Sequence, residues 1–452
     1  MALSSNLAKQ FTFLTLLVFA TTQSVVAAVY PTASVKTKID SYLEQYVQMK
    51  DFSGVVLVVK NGKVLFNKSY GRANFETDSL IDANTRFRIG SVSKQFTAAS
   101  ILLLEERGRL SVQDKLARFI PDFPKGDRIT LSMLLSHNAG ISRDLPDVPG
   151  LLQVAHNTSE LMEIIKAVPL VAEPGEATRY SNNGYRILAY LVEKVSGKLL
   201  QDFLNENFFQ PLGMMDTGQD SQRDLVVNRA SGYVPWIGSA GLGNAPLFDV
   251  SNDIGPGGLY SSAADLLKWD KALFGSKVLS KASVDRMISS DYGIGESKIA
   301  NHRSIGHDGR LTGFTSFNDY YPDDDTYVVF LSNIESGAIA SIRKDLPAIL
   351  FNEPFKMPAK RPPVIKLDPR TVDSYVGRYQ VAPGFILTAK NERGNLLLGT
   401  VEGLYPMIPE SETKFFYPLR YAEVEFVKNA AGLVTEMKWR EFGSEYVCKK
   451  VE

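Results

Sequence analysis

Residues 87–98 read Phe87-Arg88-Ile89-Gly90-Ser91-Val92-Ser93-Lys94-Gln95-Phe96-Thr97-Ala98. Phe87, Arg88 and Ile89 are strand-compatible and lead into Gly90, whereas Phe96, Ala99, Ile101, Leu102, Leu103 and Leu104 form the apolar run of a buried helix. The junction places Ser91 at a helix N-terminus. Unpaired backbone N–H groups and the positive end of the helix dipole gather there and favour negative charge developing beside the serine oxygen, which is half of an oxyanion hole. Lys94 follows three residues later on the same helical face, within reach of the Ser91 hydroxyl. A lysine held there with little water has its pKa lowered and can act as a base toward serine.

Ser-x-x-Lys alone is a cheap pattern. It recurs at Ser341-Ile342-Arg343-Lys344 and Ser411-Glu412-Thr413-Lys414, where it reads as an ordinary helix start or turn. Two further triplets give Ser91 its weight: Tyr180-Ser181-Asn182 is the one Tyr-x-Asn of the chain, and His307-Asp308-Gly309 its one His-x-Gly. Their order resembles the serine β-lactamase and penicillin-binding protein superfamily, and the Tyr-x-Asn form points to its class C-like branch. The run Ile129-Thr130-Leu131-Ser132-Met133-Leu134-Leu135-Ser136-His137-Asn138-Ala139-Gly140-Ile141 is similar to the family's "ITxxxLLxHxSGL" stretch, Pro174-Gly175 to the approach to its Tyr-Ser-Asn, and Gly257 to Leu266 to its "GGLxSTAxDL" helix start. The resemblance spans roughly residues 37 to 352.

The resemblance implies an acyl-enzyme on Ser91, with Lys94 and Tyr180 as candidates to take its proton. Tyr180 serves as a base only with a stabilised phenolate, and two cations, Lys94 and a protonated His307, are expected to depress its pKa. Asn182 is placed to hydrogen-bond substrate and Lys94. The backbone N–H of Arg310 is the implied second oxyanion donor, with Gly309 letting substrate approach the strand. The chain departs from class C enzymes at Asp308, which stands where they carry the threonine of Lys-Thr-Gly. If Asp308 faces the cleft, neutral esters or amine-bearing substrates are expected over carboxylate-bearing ones, unless Arg310 points inward and offsets it. His137 reads as a packing or turn residue.

The expected fold is α+β: an antiparallel sheet flanked by helices, with an inserted helical subdomain, as in the β-lactamase/DD-peptidase fold. A helix over Lys36–Lys50, a hairpin of Val55–Lys60 and Val64–Tyr70 around Asn61-Gly62, strands Phe314–Tyr321 and Thr326–Ser332 around Pro322–Asp325, and a helix over about Ala338–Leu350 frame this domain, residues 29–352. Prolines 354, 358, 362, 363 and 369 mark residues 353–370 as a stiff linker. Short β runs after it predict a small, barrel-like, lipocalin-like module over 371–452.

Residues 1–28, with Lys9, an apolar core of Phe11–Ala20 and a small-residue ending at Ala27-Ala28, predict a cleaved signal peptide. The alternative is an uncleaved anchor, but the apolar run is well short of the ~20 residues a span needs. Export to the periplasm or medium is expected, with no integral span after cleavage. Lys plus Arg equal Asp plus Glu at 50 each, which excludes an overall basic field for nucleic acid. The one cysteine, Cys448, excludes an intrachain disulfide. Four histidines in no ligand-like spacing argue against a metal, and no cofactor is expected. The function these readings predict is an exported serine hydrolase of small esters, amides or peptides. D-alanyl-D-alanine carboxypeptidase or β-lactamase activity, and a catalytically silent binding protein, stay open.

Overall fold

The computed structural model describes residues 34–146, 148–237, 241–361, 363–382, 385–400, 403–441 and 444–451; the signal-peptide expectation lies outside them. Its centre is a six-stranded antiparallel sheet, in spatial order Gly295–Ile299, His302–Leu311, Phe314–Tyr321, Thr326–Ser332, Gly54–Lys60 and Lys63–Tyr70. The N-terminal hairpin thus completes a sheet whose other four strands come late in the chain, Gly54 pairing with Ser332 and Lys60 with Thr326. At the hairpin tip Asn61 and Gly62 take left-handed φ values of 49° and 71°, the conformation a two-residue turn of this kind demands.

Alternation along Gly54–Lys60 feeds two cores. Val55, Leu57 and Val59 pack on one face with the helix Ser93–Glu106, and Val56 and Val58 on the other with the helices Val35–Gln48 and Ala338–Leu350. The long helix Asn182–Ser196 joins the first core through Tyr185, Ile187, Leu188 and Leu191. Helices and loops between the hairpin and the late strands therefore lie on the face that carries Ser91. Two strands, Gly295–Ile299 and His302–Leu311, were not expected from hydrophobic alternation, and the second of them carries the His-x-Gly triplet.

The proline-rich stretch has no regular structure among its described residues before Pro369, yet it does not hang free. Phe355 meets Tyr42 edge-on with ring centroids 6.0 Å apart, and Arg361 Nη2 donates to the buried Asp51 at 2.6 Å. Beyond it, helix Pro369–Tyr375 opens a unit of nine antiparallel strands over residues 377–450. They curl into a nearly closed barrel around Tyr379, Leu398, Phe415, Phe426 and Met437. Among the described residues, the segment 416–421 docks the barrel on the first domain. Tyr421 donates to Asp51 at 2.9 Å, Phe416 lies 4.2 Å from the Arg361 guanidinium, the Gly337 N–H reaches the Pro418 carbonyl at 2.8 Å, and Arg310 Nη1 reaches the Leu419 carbonyl at 2.9 Å.

Candidate active site

Strand Phe87–Arg88 is held against Leu259–Ser261, and the chain then closes a 3-10 turn, Gly90–Val92, before helix Ser93–Glu106 begins. Ser91 sits in that turn. Gly90 has a φ of +50°, and a Cβ on it would lie 2.7 Å from the Arg310 nitrogen, so turn and strand meet where only glycine fits. Gly309 is as tight: its Cβ would fall 2.0 Å from the Ile89 carbonyl oxygen and 2.4 Å from Ser316 Oγ. Gly309→Ala should therefore push the strand away from the serine turn and lower kcat for an ester by about a hundredfold, the loss seen when one oxyanion donor is misplaced. The fold should survive, with overpacking costing about 1–3 kcal/mol. A kcat within twofold of wild type, read beside a thermal melt, would refute this placement.

Lys94 is fully buried, and three oxygens surround its Nζ: Ser91 Oγ at 3.0 Å, Asn182 Oδ1 at 2.8 Å and the Pro256 carbonyl at 3.0 Å. Burial brings its pKa down to about 7, opposed by the charge of the buried Asp253. The Tyr180 hydroxyl donates to Ser91 Oγ at 2.9 Å. Ser91, Lys94, Tyr180 and Asn182, distant in sequence, are thus one connected group.

Three expectations about this group need correcting. Tyr180 is not made a stabilised phenolate: burial raises its pKa. His307 is not a cation at neutral pH, since burial and the neighbouring Lys94 lower its pKa to about 4. Its ring lies beside Tyr180, centroids 6.3 Å apart, and its Nδ1 bonds the Asp308 carbonyl at 2.5 Å, so Nδ1 carries the proton and Nε2 is left as an acceptor.

The third correction is Asp308. His307 pairs with Asn318, which bonds Gln95 of helix Ser93–Glu106, so the two lie on the Ser91 face. Asp308 pairs with Phe317 of the opposite core and therefore faces away. Its carboxylate is held there at 2.7 Å by Arg343, which also binds Asp319. Arg310, two residues on, shares that outer face and gives its side chain to Leu419. Neither residue aims its charge at the serine, and the expected repulsion of substrate carboxylates loses its basis.

Sequence reasoning missed three contributors, Asp144, Arg143 and the Pro256 carbonyl. His137 is the packing and turn residue expected: at φ 60°, its carbonyl accepts from Arg179 N at 2.7 Å, its Nδ1 from Ser181 N at 3.1 Å, and its ring stacks on Tyr180 at 4.4 Å. It grips both flanks of Tyr180 while burial, with Lys94 nearby, holds its own pKa near 3. Asp144 accepts from Asn182 Nδ2 at 2.6 Å and so turns the Asn182 oxygen toward Lys94. Arg143, with its guanidinium 5.2 Å from the Tyr180 ring centre, and the Pro256 carbonyl complete the surround. Arg143 and Asp144 follow directly on the Ile129–Ile141 stretch, and that adjacency was the available signal.

Sheet, insertion and this serine-centred group define the serine β-lactamase and penicillin-binding protein superfamily, whose members are of serine hydrolase type. The chain belongs to the β-lactamase family, whose model matches residues 39–346. Penicillin-binding protein 4* of Bacillus subtilis (strain 168) is 30% identical over 424 residues, 86% of this chain and 93% of that protein. The D-amino acid amidase of Ochrobactrum anthropi SV3 superposes with a TM-score of 0.64 at 20% identity, over 71% of this chain and 99% of the amidase. The octameric penicillin-binding protein homologue of Pyrococcus abyssi does so with a TM-score of 0.62 at 23% identity, over 91% of this chain and 99% of the homologue.

Proposed function

We propose that this chain is an exported serine hydrolase that cleaves small esters or amides through an acyl-enzyme on Ser91. The observation that carries this is the surround of Lys94 Nζ. Asn182 Oδ1 and the Pro256 carbonyl can only accept, so a neutral amine spends both N–H groups on them and turns its lone pair toward Ser91 Oγ. With a pKa near 7, that amine is free to take the serine proton at neutral pH. Tyr180, kept protonated, donates to the same oxygen, and the Lys94 ammonium formed by taking the serine proton returns that proton to the leaving group. The Ser91 and Arg310 N–H groups are the proposed oxyanion donors. Export rests on the signal-like residues 1–28.

A second reading, D-alanyl-D-alanine carboxypeptidase or β-lactamase, is supported by the outward-facing Asp308, which no longer bars a substrate carboxylate, and by the penicillin-binding relative. The test is a panel of p-nitrophenyl esters, D-amino-acid amides, D-Ala-D-Ala peptides and a cephalosporin, with intact-mass detection of the acyl adduct. An adduct mapped to the peptide containing Ser91, with faster turnover of esters or amides, supports the first reading; faster release of D-alanine supports the second. A chain that forms no adduct with any of them is not a hydrolase of this kind.

A further inference from the structure

Pairing between Gly295–Ile299 and His302–Leu311 stops at Gly306, so from His307 onward one edge of the motif strand has no strand partner. An extended acyl chain held along that edge, with its carbonyl at Ser91, passes Arg310 and reaches Thr312 after two more residues, about 7 Å. There a cavity of about 360 Å³ opens, lined among others by Thr312, Phe314, Leu247, Phe248, Arg88 and Arg229. The two arginines share one carboxylate. Asp220, its side chain fully buried, accepts from Arg88 Nε at 2.6 Å through Oδ2 and from Arg229 Nη1 through Oδ1. Two guanidiniums against one carboxylate leave a net positive charge, and the Nη groups of Arg88 bond to none of the described residues. Phe314, 5.8 Å from the Arg88 guanidinium, and Phe248 and Leu247 supply apolar wall.

We propose that this cavity is the subsite for the acyl part of the substrate and that it selects acyl groups ending in a carboxylate. The methylenes pack on Phe314 and Phe248, and the carboxylate meets the excess guanidinium charge. The proposal rests on the hydrolase reading above and deepens it.

The test compares kcat/KM of the full chain for the mono-p-nitrophenyl ester of adipic acid, p-nitrophenyl hexanoate, and 3-carboxy-4-nitrophenyl hexanoate, which moves the carboxylate to the leaving group. The adipyl ester should exceed the hexanoyl ester by about fivefold, the worth of one partly screened ion pair. Arg229→Gln, which leaves one guanidinium for one carboxylate, should bring the ratio to about one. Leu247→Glu, at a side chain 70% exposed and so tolerant of charge, should also lower it and serves if Arg229→Gln does not fold. Equal rates for adipyl and hexanoyl esters, a preference for the carboxylated leaving group, or ratios unmoved in both variants overturn the subsite. Failure of the hydrolase reading is separate: no ester is then cleaved, and calorimetric binding of monomethyl adipate over methyl hexanoate to Ser91→Ala protein decides the cavity without turnover.

Discussion

Ser91→Ala is expected to abolish turnover of every ester or amide the wild type accepts, by more than about a thousandfold, and to abolish the acyl adduct. Its oxygen is where the Lys94 and Tyr180 bonds converge, at 3.0 and 2.9 Å, and no other hydroxyl stands in that position. Folding should be spared. Ser91 is half-buried in a turn, and losing a small hydroxyl at a helix start costs about 1 kcal/mol. Ser411→Ala removes the serine of another Ser-x-x-Lys, in an exposed turn of the barrel, and should leave kcat unchanged. Turnover and adduct retained by Ser91→Ala protein with a wild-type melting temperature would place the nucleophile elsewhere.

Lys94→Met should lower kcat by about a hundredfold to ten-thousandfold, the span of general-base help. It keeps an unbranched apolar stem out to the ε position, with sulfur in place of one methylene, and removes the amine. The wild-type pH profile gives the same assignment a second readout. Below a pKa of about 7 the amine is protonated and cannot accept the serine proton, so kcat/KM should rise with pH through about 7 and level off above it. His137 and His307, held near 3 and 4, stay neutral across that window and do not shape the limb. The sign for stability is the reverse of a salt bridge. Lys94 binds its proton more weakly folded than unfolded, so between pH about 7 and 10.5 the unfolded chain holds more of it, and stability gains with rising pH. Lys94→Met is therefore expected to melt no lower than wild type at pH 7. A profile flat from pH 5 to 9, or a variant with wild-type kcat, would remove Lys94 as the base.

The central hairpin, the strands Phe314–Tyr321 and Thr326–Ser332 and the helix Ala338–Leu350 were legible because their apolar residues alternate or recur at helical spacing. Strand His302–Leu311 was not. It carries the exposed Arg303 on one face and the exposed Asp308 and Arg310 on the other, with glycines at 306 and 309, the second where the serine turn packs against it. Ser91, Lys94, Tyr180 and Asn182 were legible by motif order. The directions of Asp308 and Arg310 depended on register, and one residue of offset sends a side chain to the opposite face of a sheet. Protonation states were misread for a related reason: charge neighbours can be guessed from sequence, but depth of burial decides whether Tyr180 and His307 ionise.

Two of the contacts that seat the barrel are addressed to main-chain atoms. Arg310 reaches the carbonyl of Leu419, and the Gly337 N–H reaches the carbonyl of Pro418. Every amino acid carries such a carbonyl. At these two contacts, side chains at 418 and 419 can drift over generations without breaking the seat, whereas the first domain must keep a long donor at 310 and no side chain at 337, where a Cβ would stand 2.6 Å from the Arg420 and Tyr421 backbone. Selection on this part of the contact thus falls on one partner alone. A barrel that keeps Phe416 and Tyr421 can diverge at 418 and 419 and still brace the strand that lies beside Ser91.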